Sequence, residues 1–139
     1  MAFLDLSVSE KFDIYTKEVR SILEYAAPVW HSSISRKQTS EIEAVQKLAF
    51  RIILGSSYVR YTDACAVLKT ETLERRRHSI CLKFARKNAK SNEPLFKMSN
   101  ADKRLRPRNN IVDEYKCNTA RFQKSSLPFL ASILNAHQT

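Results

Sequence analysis

Apolar residues return at spacings of three and four along most of this chain, the mark of helices that each bury one stripe. Phe12, Tyr15, Val19, Ile22, Leu23 and Ala26 predict a helix over 9–26. Ser9 is its expected N-cap, and Pro28 its stop, because proline disfavours helical geometry at Ala27 before it. Val29 and Trp30 are then expected to tuck into the core at a bend. The clearest helix is 36–54, with Ile42, Val45, Leu48, Ala49, Ile52 and Ile53 as its stripe. Ser35 and Gln38 form a capping box, each side chain serving the other's backbone N–H. Gly55 follows the last turn, where a positive φ is wanted. Glu43 and Lys47 are spaced as an i,i+4 ion pair.

Residues 56–61 read as a connector. A short helix is expected from about Asp63 to Leu68 with Thr62 as cap. Thr70 is expected to cap a longer helix over 71–90, with Leu73, Ile80, Cys81, Phe84 and Ala85 inward and Arg75, Arg76, Arg77, Lys83, Arg86, Lys87 and Lys90 on its other faces. The periodicity fails after Asn92. Pro94 opens a possible turn of helix, 99–110 (SNADKRLRPRNN) reads as a loop or disordered stretch, and Ile111–Tyr115 as a short segment of uncertain type. Ser126 and Pro128 then suit a short helix over 127–135. The expected architecture is all-α: a small helical bundle over 1–92, and a basic, partly irregular tail over 93–139 whose terminal helix packs back on the bundle.

Composition narrows the function. The chain has 139 residues and a single glycine, which excludes the glycine loops that cradle phosphates and counts against a hairpin-rich β fold. Its three cysteines, Cys65, Cys81 and Cys117, argue against a disulfide framework and fit a reducing, intracellular setting, nucleus or cytoplasm. No apolar run reaches the roughly 18 residues that span a bilayer, and the first residues, MAFLDLSVSEKF, lack the basic and apolar regions of a secretory signal, so no membrane partner is expected.

The net charge of +10 is uneven. Residues 1–74 hold 9 Lys and Arg against 10 Asp and Glu, whereas residues 75–139 hold 15 against 4. A field of one sign over half of a small protein concentrates polyanions, so RNA or DNA held by phosphate contacts is the expected partner. The candidate contacts are Arg75, Arg76, Lys83, Arg86, Lys87, Lys90, Arg104, Arg106, Arg108, Arg121 and Lys124. A solvated lysine-rich surface is the plainer alternative.

Catalytic chemistry is hard to place. His31, His78 and His137 read as isolated, and no CxxC, HExxH or His-x-Asp occurs, so no metal, cofactor or small-molecule substrate is expected. Cys81 falls on an apolar stripe and reads as a packed thiol. Glu71 and Glu74 suit a helix N-terminus as dipole partners. Phe12, Tyr15, Tyr25, Trp30, Phe50 and Phe84 read as core, and Phe122 as an anchor for the tail. Tyr58 and Tyr61, flanking Arg60, suit either base stacking or capping of the bundle.

Four strings in order carry a resemblance: VRSILEYAAPVWHSSIS (19–35), IEAVQKLAFRIILG (42–55), YVRYTDACAVLKTETLERRRHSICLKFARK (58–87) and TARFQKSSLPFLASILN (119–135). Together they resemble the region downstream of the polymerase core in non-LTR (LINE-type) retrotransposon reverse transcriptases. The resemblance implies a helical module just past the thumb, helping to hold template, primer or target during target-primed reverse transcription, with a polymerase thumb upstream as a further partner. Arg75, Arg76, Lys83, Arg86 and Lys87 match basic positions of the corresponding helix, and Arg121 and Lys124 match the tail. No Tyr/Phe-x-Asp-Asp palm motif is present, so the chain is expected to be noncatalytic, a remnant of an RNA-directed DNA polymerase. Met1 just before the first matching helix suggests a truncated element or a fragment of a longer gene. A weaker resemblance over 11–55 is to the N-terminal helical segment of AlkB-type tRNA-modifying dioxygenase/methyltransferases. It implies 2-oxoglutarate-dependent oxygenase and methyltransferase chemistry, for which the iron ligands and the cofactor loop are missing. A protein-docking helical module is the remaining alternative.

Overall fold

The computed structural model describes residues 6–91, 95–97 and 112–137. Among them the fold is all-α, with no strand; Val112 alone makes a bridge-type backbone contact. No helix among the described residues is long and apolar enough to cross a membrane. Val8–Ile14 (α1) runs through a π-helical stretch, Tyr15–Arg20, into Ser21–Glu24 (α2). Then come Ala27–Trp30 (α3), Arg36–Leu54 (α4), Tyr61–Val67 (α5), Leu73–Ala89 (α6), Ala120–Gln123 (α7) and Ser126–Ala136 (α8). The expected loop over 99–110 lies outside the described residues, as do Ile111 and Pro94.

The chain forms two compact units, one of residues 1–25 and 34–77, the other of 26–33 and 78–139. The division between them falls inside α6. Its cause is the tail's own core: Cys81 and Ala85 of α6 are buried with Phe96, Val112 and, from α8, Leu130, Ala131, Ile133 and Leu134. In this second unit Asn135 clamps Val112, accepting from its N–H at 3.2 Å and donating to its carbonyl at 3.1 Å.

The first unit packs α1 and the π stretch on α4 and α5, around Tyr15, Phe50, Ile53, Leu54 and Ala64. Ser7, not Ser9, caps α1, because only Ser7 has a glutamate three residues on; Glu10 closes the capping box. That hydrogen bonding to Ser7 also holds the Glu10 carboxyl below its ordinary value. The π stretch then corrects the expected stripe. A π turn bonds i to i+5 and shifts the inward positions by about one residue. After Tyr15 it is Arg20, Leu23 and Glu24 that are half-buried, while Val19 and Ile22 face water. The helix also ends earlier than Pro28 demands: Ala26 is left-handed at φ +50°, and Pro28 sits in the first turn of the separate α3. Tyr25 and Val29 are exposed rather than core; Ala27 is buried instead, and Trp30 half-buried.

α4 has its expected bounds, with the Ser35–Gln38 capping box formed. Gly55 ends it at φ +53°, ψ −123°, with open space where a Cβ would stand, so the backbone conformation and not crowding favours glycine. The buried face, however, is Glu43, Gln46, Phe50, Ile53 and Leu54. Val45, Leu48 and Ile52 of the expected stripe are exposed. The rotation is stabilised by a buried polar network. The Tyr15 hydroxyl donates to Gln46 Oε1 at 2.7 Å, and Gln46 Nε2 donates to the Tyr61 hydroxyl at 2.9 Å and the Glu71 carbonyl at 3.1 Å. Tyr61 donates to Glu43, whose other oxygen accepts the Glu74 N–H at 2.6 Å. Glu43 thus serves the N-terminus of α6 and is not paired with Lys47, a use of a carboxylate that the helix dipole favours.

Burial raises both tyrosine hydroxyls above their ordinary pKa, that of Tyr61 further through its bond to the Glu43 carboxylate. An acid whose folded pKa is raised contributes stability that is intact below the unfolded pKa, about 10 for tyrosine, and is lost as pH rises beyond it. Urea midpoints are therefore expected to fall above about pH 10, and less steeply in Tyr61→Phe.

Cap positions elsewhere shift by one or two residues. α5 starts at Tyr61 after Arg60, which makes no side-chain cap, and Thr62 bonds Asp63 instead. Its end is a Schellman motif: Thr70 N–H reaches the Cys65 carbonyl at 2.9 Å and Lys69 N–H that of Ala66 at 3.1 Å. Thr72, not Thr70, caps α6, accepting from Arg75 N–H at 3.3 Å. Ser125 precedes α8, one residue before the expected cap, but its hydroxyl donates back to Phe122 and caps nothing. Lys69 holds the left-handed position at φ +50°, which suits glycine and strains a residue with a Cβ. Lys69→Gly is expected to stabilise the fold by about 1 kcal/mol, read as a higher urea midpoint at unchanged slope.

Candidate nucleic-acid interface

α6 sorts its side chains by angle. Cys81 and Ala85 are fully buried, while Lys83, Arg86, Lys87 and, just past the helix end, Lys90 are exposed. At 100° per residue these four cations fall within an arc of about 100°, centred roughly opposite Cys81 and Ala85. The helix is held by its apolar side on α8 and presents its cations on the other. None of the four has a carboxylate partner among the described residues. Arg86 in addition donates to the His137 carbonyl at 3.3 Å, a cation at the C-terminus of α8 where the helix dipole favours one.

The other candidates divide. Arg76 is half-buried and grips Glu24 through both Nε and Nη2, the latter at 3.1 Å. That bond holds its guanidinium even more firmly protonated, whereas burial and the neighbouring Arg76 charge lower the pKa of Arg20. Arg76 thus serves the first unit's fold. Arg75 is exposed. Arg77, placed by periodicity on an outer face of the helix, is instead wholly enclosed. Arg121 on α7 and Lys124 at its end are exposed. Thr119 caps this short helix, which the sequence pattern did not reveal, and Phe122 on it is partly exposed with its edge against Tyr115 at 6.1 Å. Arg104, Arg106 and Arg108 lie outside the described residues.

Aromatic placement corrects several expectations. Phe84 is exposed, and Tyr58 and Tyr61 pack against the first unit's core. The three histidines are not isolated in space. In the second unit His78 stands 6.5 Å from His31 and 5.7 Å from His137, ring centre to ring centre, and Phe129 packs against both His31 and His78. Spacing along the chain, with 46 or more residues between neighbours in sequence, carries no sign of this. Among the described residues no group of three His, Cys, Asp or Glu is arranged to hold a metal ion.

No protein-family model, no curated protein and no solved structure matches the chain at significance.

Proposed function

We propose that this chain is a noncatalytic helical module that binds RNA or DNA through phosphate contacts. In this reading it is of the kind found downstream of the polymerase core in LINE-type reverse transcriptases, working inside the cell where its three thiols stay reduced. The observation that carries it is the α6 ridge of Lys83, Arg86, Lys87 and Lys90, exposed, without a carboxylate partner among the described residues and backed by a buried core. Such an array positions the protein on a phosphate chain without reading bases, so binding is strong in salt dependence and weak in sequence preference. Arg121 and Lys124 add exposed charge in the same unit. No residue pair supports metal-dependent nucleotide transfer, since the palm carboxylate motif is missing from the sequence. The test is fluorescence anisotropy with labelled RNA and DNA across a salt series, comparing the parent with the variant in which the four ridge cations are glutamine.

A second reading has its own observation. Val45, Leu48 and Ile52 are exposed along one side of α4, and such a row is a candidate surface for docking on a protein. Sedimentation of the purified chain separates the two: concentration-dependent association without nucleic-acid binding favours docking.

A further inference from the structure

The first unit is nearly neutral by count, yet its charges are not spread evenly. Several of its carboxylates are engaged: Glu24 by Arg76, Glu43 by Tyr61 and the Glu74 N–H, Glu41 by Lys37, Glu10 by its own capping box. Lys47 and Arg51, one turn apart on α4, have no carboxylate partner among the described residues. Each instead lies over a tyrosine ring, Tyr58 in the α4–α5 connector or Tyr61 at the start of α5. Lys47 Nζ is 5.2 Å from the centre of Tyr61, and Arg51 Cζ 5.5 Å from that of Tyr58. Arg60, between the two tyrosines, is exposed. The carboxylate nearest Arg60 along the chain is Asp63, which accepts from Thr62, and the one nearest Lys47 is Glu43, which is taken up by Tyr61 and the Glu74 N–H.

A cation over an aromatic face is held by the ring's quadrupole while its outer side stays open to an anion. The two rings are themselves anchored: Tyr61 by Gln46 and Glu43, Tyr58 by its packing on the core. The cations are therefore restrained before any ligand arrives, so less side-chain freedom is lost on binding than at an ordinary surface lysine. Side chains at i and i+4 stand about 5–6 Å apart, which suits two successive phosphates of an extended strand.

We propose that Lys47 and Arg51, preset on Tyr61 and Tyr58 and joined by Arg60, form a second contact for single-stranded RNA or DNA. It is separate from the α6 ridge, and it deepens the nucleic-acid reading on which it rests. The half-buried Tyr58 leaves part of its ring for a base, in the manner of strand-binding proteins that pair a cationic track with an aromatic platform.

The experiment uses the full chain with oligo(U) containing 4-thiouridine, crosslinked by light and mapped by mass spectrometry after trypsin. The expected result is crosslinking to the peptide 52–60, which holds Tyr58, as well as to α6 peptides. K47Q/R51Q is expected to weaken binding about 10-fold, to lower the salt slope by about 1.4, and to remove the crosslink from the Tyr58-bearing peptide, which in this variant is 38–60 because the tryptic sites at 47 and 51 are gone, while the α6 crosslinks persist. Lys47→Arg is expected to restore most of the affinity to a chain carrying Arg51. Circular dichroism checks that the substitutions leave the helices formed. Crosslinks confined to 78–91, with K47Q/R51Q binding like the parent, overturn this second contact and leave the α6 ridge standing. Loss of binding in K47Q/R51Q, with the α6 ridge variant unaffected, overturns the ridge and keeps this contact. No binding by the parent chain overturns both.

Discussion

Replacing Lys83, Arg86, Lys87 and Lys90 together with glutamine is expected to weaken binding to a short nucleic-acid duplex by roughly 10²-fold at low salt. The magnitude follows from counterion release. Four phosphate contacts at about 0.9 ions each set a logarithmic salt slope of about −3.6, which is about 10² in affinity between roughly 50 and 200 mM salt. The variant should lose that part of the slope along with the affinity. Because all four side chains are exposed and have no carboxylate partner among the described residues, and Arg86 makes only one exposed bond to the His137 carbonyl, the fold should be little changed, with each substitution within about 0.5 kcal/mol. Arg76→Gln is the contrasting case. Its guanidinium is engaged by Glu24, so the substitution should lower the urea midpoint and leave the salt slope as it was. A quadruple variant whose affinity and slope both match the parent would remove the basis of the nucleic-acid reading.

The ridge and Arg76 also show what a sequence discloses. Lys83, Arg86, Lys87 and Lys90 share a face by helical period alone, so their grouping needs no knowledge of distant residues. Arg76 lies on the same helix, but its role depends on Glu24, 52 positions earlier, and no local pattern announces that partner. The same holds for His31, His78 and His137, joined only once α3, α6 and α8 are packed. Local signals are read well: the bounds of α4 follow from a capping box at one end and the only glycine at the other. Phase is read less well. An apolar count assigns Glu43 and Gln46 to water, because it cannot know that Tyr15, Tyr61, Glu71 and the Glu74 N–H will satisfy them. Likewise, nothing in YTKEVR signals the π turn that carries Arg20 and Glu24 inward. Burying a polar side chain is costly unless it is bonded, so hydrophobic patterning fails where the bonds are long-range.

Phe50→Ala is accordingly expected to cost about 3–5 kcal/mol, and Leu48→Ala no more than about 0.5 kcal/mol. Both residues are large, apolar and on α4, and the apolar stripe read from spacing includes Leu48 and omits Phe50. The structure separates them: Phe50, read as core from its aromatic side chain, is 0% exposed, whereas Leu48, placed on the inward stripe, is 57% exposed. Phe50 meets Tyr15 edge-on at 5.6 Å and lies 6.3 Å from Phe12 and 5.9 Å from Tyr61, so truncation opens a cavity among three rings, two of which, Tyr15 and Tyr61, the polar network holds in place. Leu48 leaves no such void, and alanine is at least as good a helix former. Against a total stability of roughly 5–15 kcal/mol, the first loss brings the chain close to unfolding, while the second is within the error of a urea titration. Equal losses at the two positions would mean that α4 turns its apolar stripe inward after all. Glu43 and Gln46 would then face water, and Lys47 and Arg51 would no longer lie over Tyr61 and Tyr58.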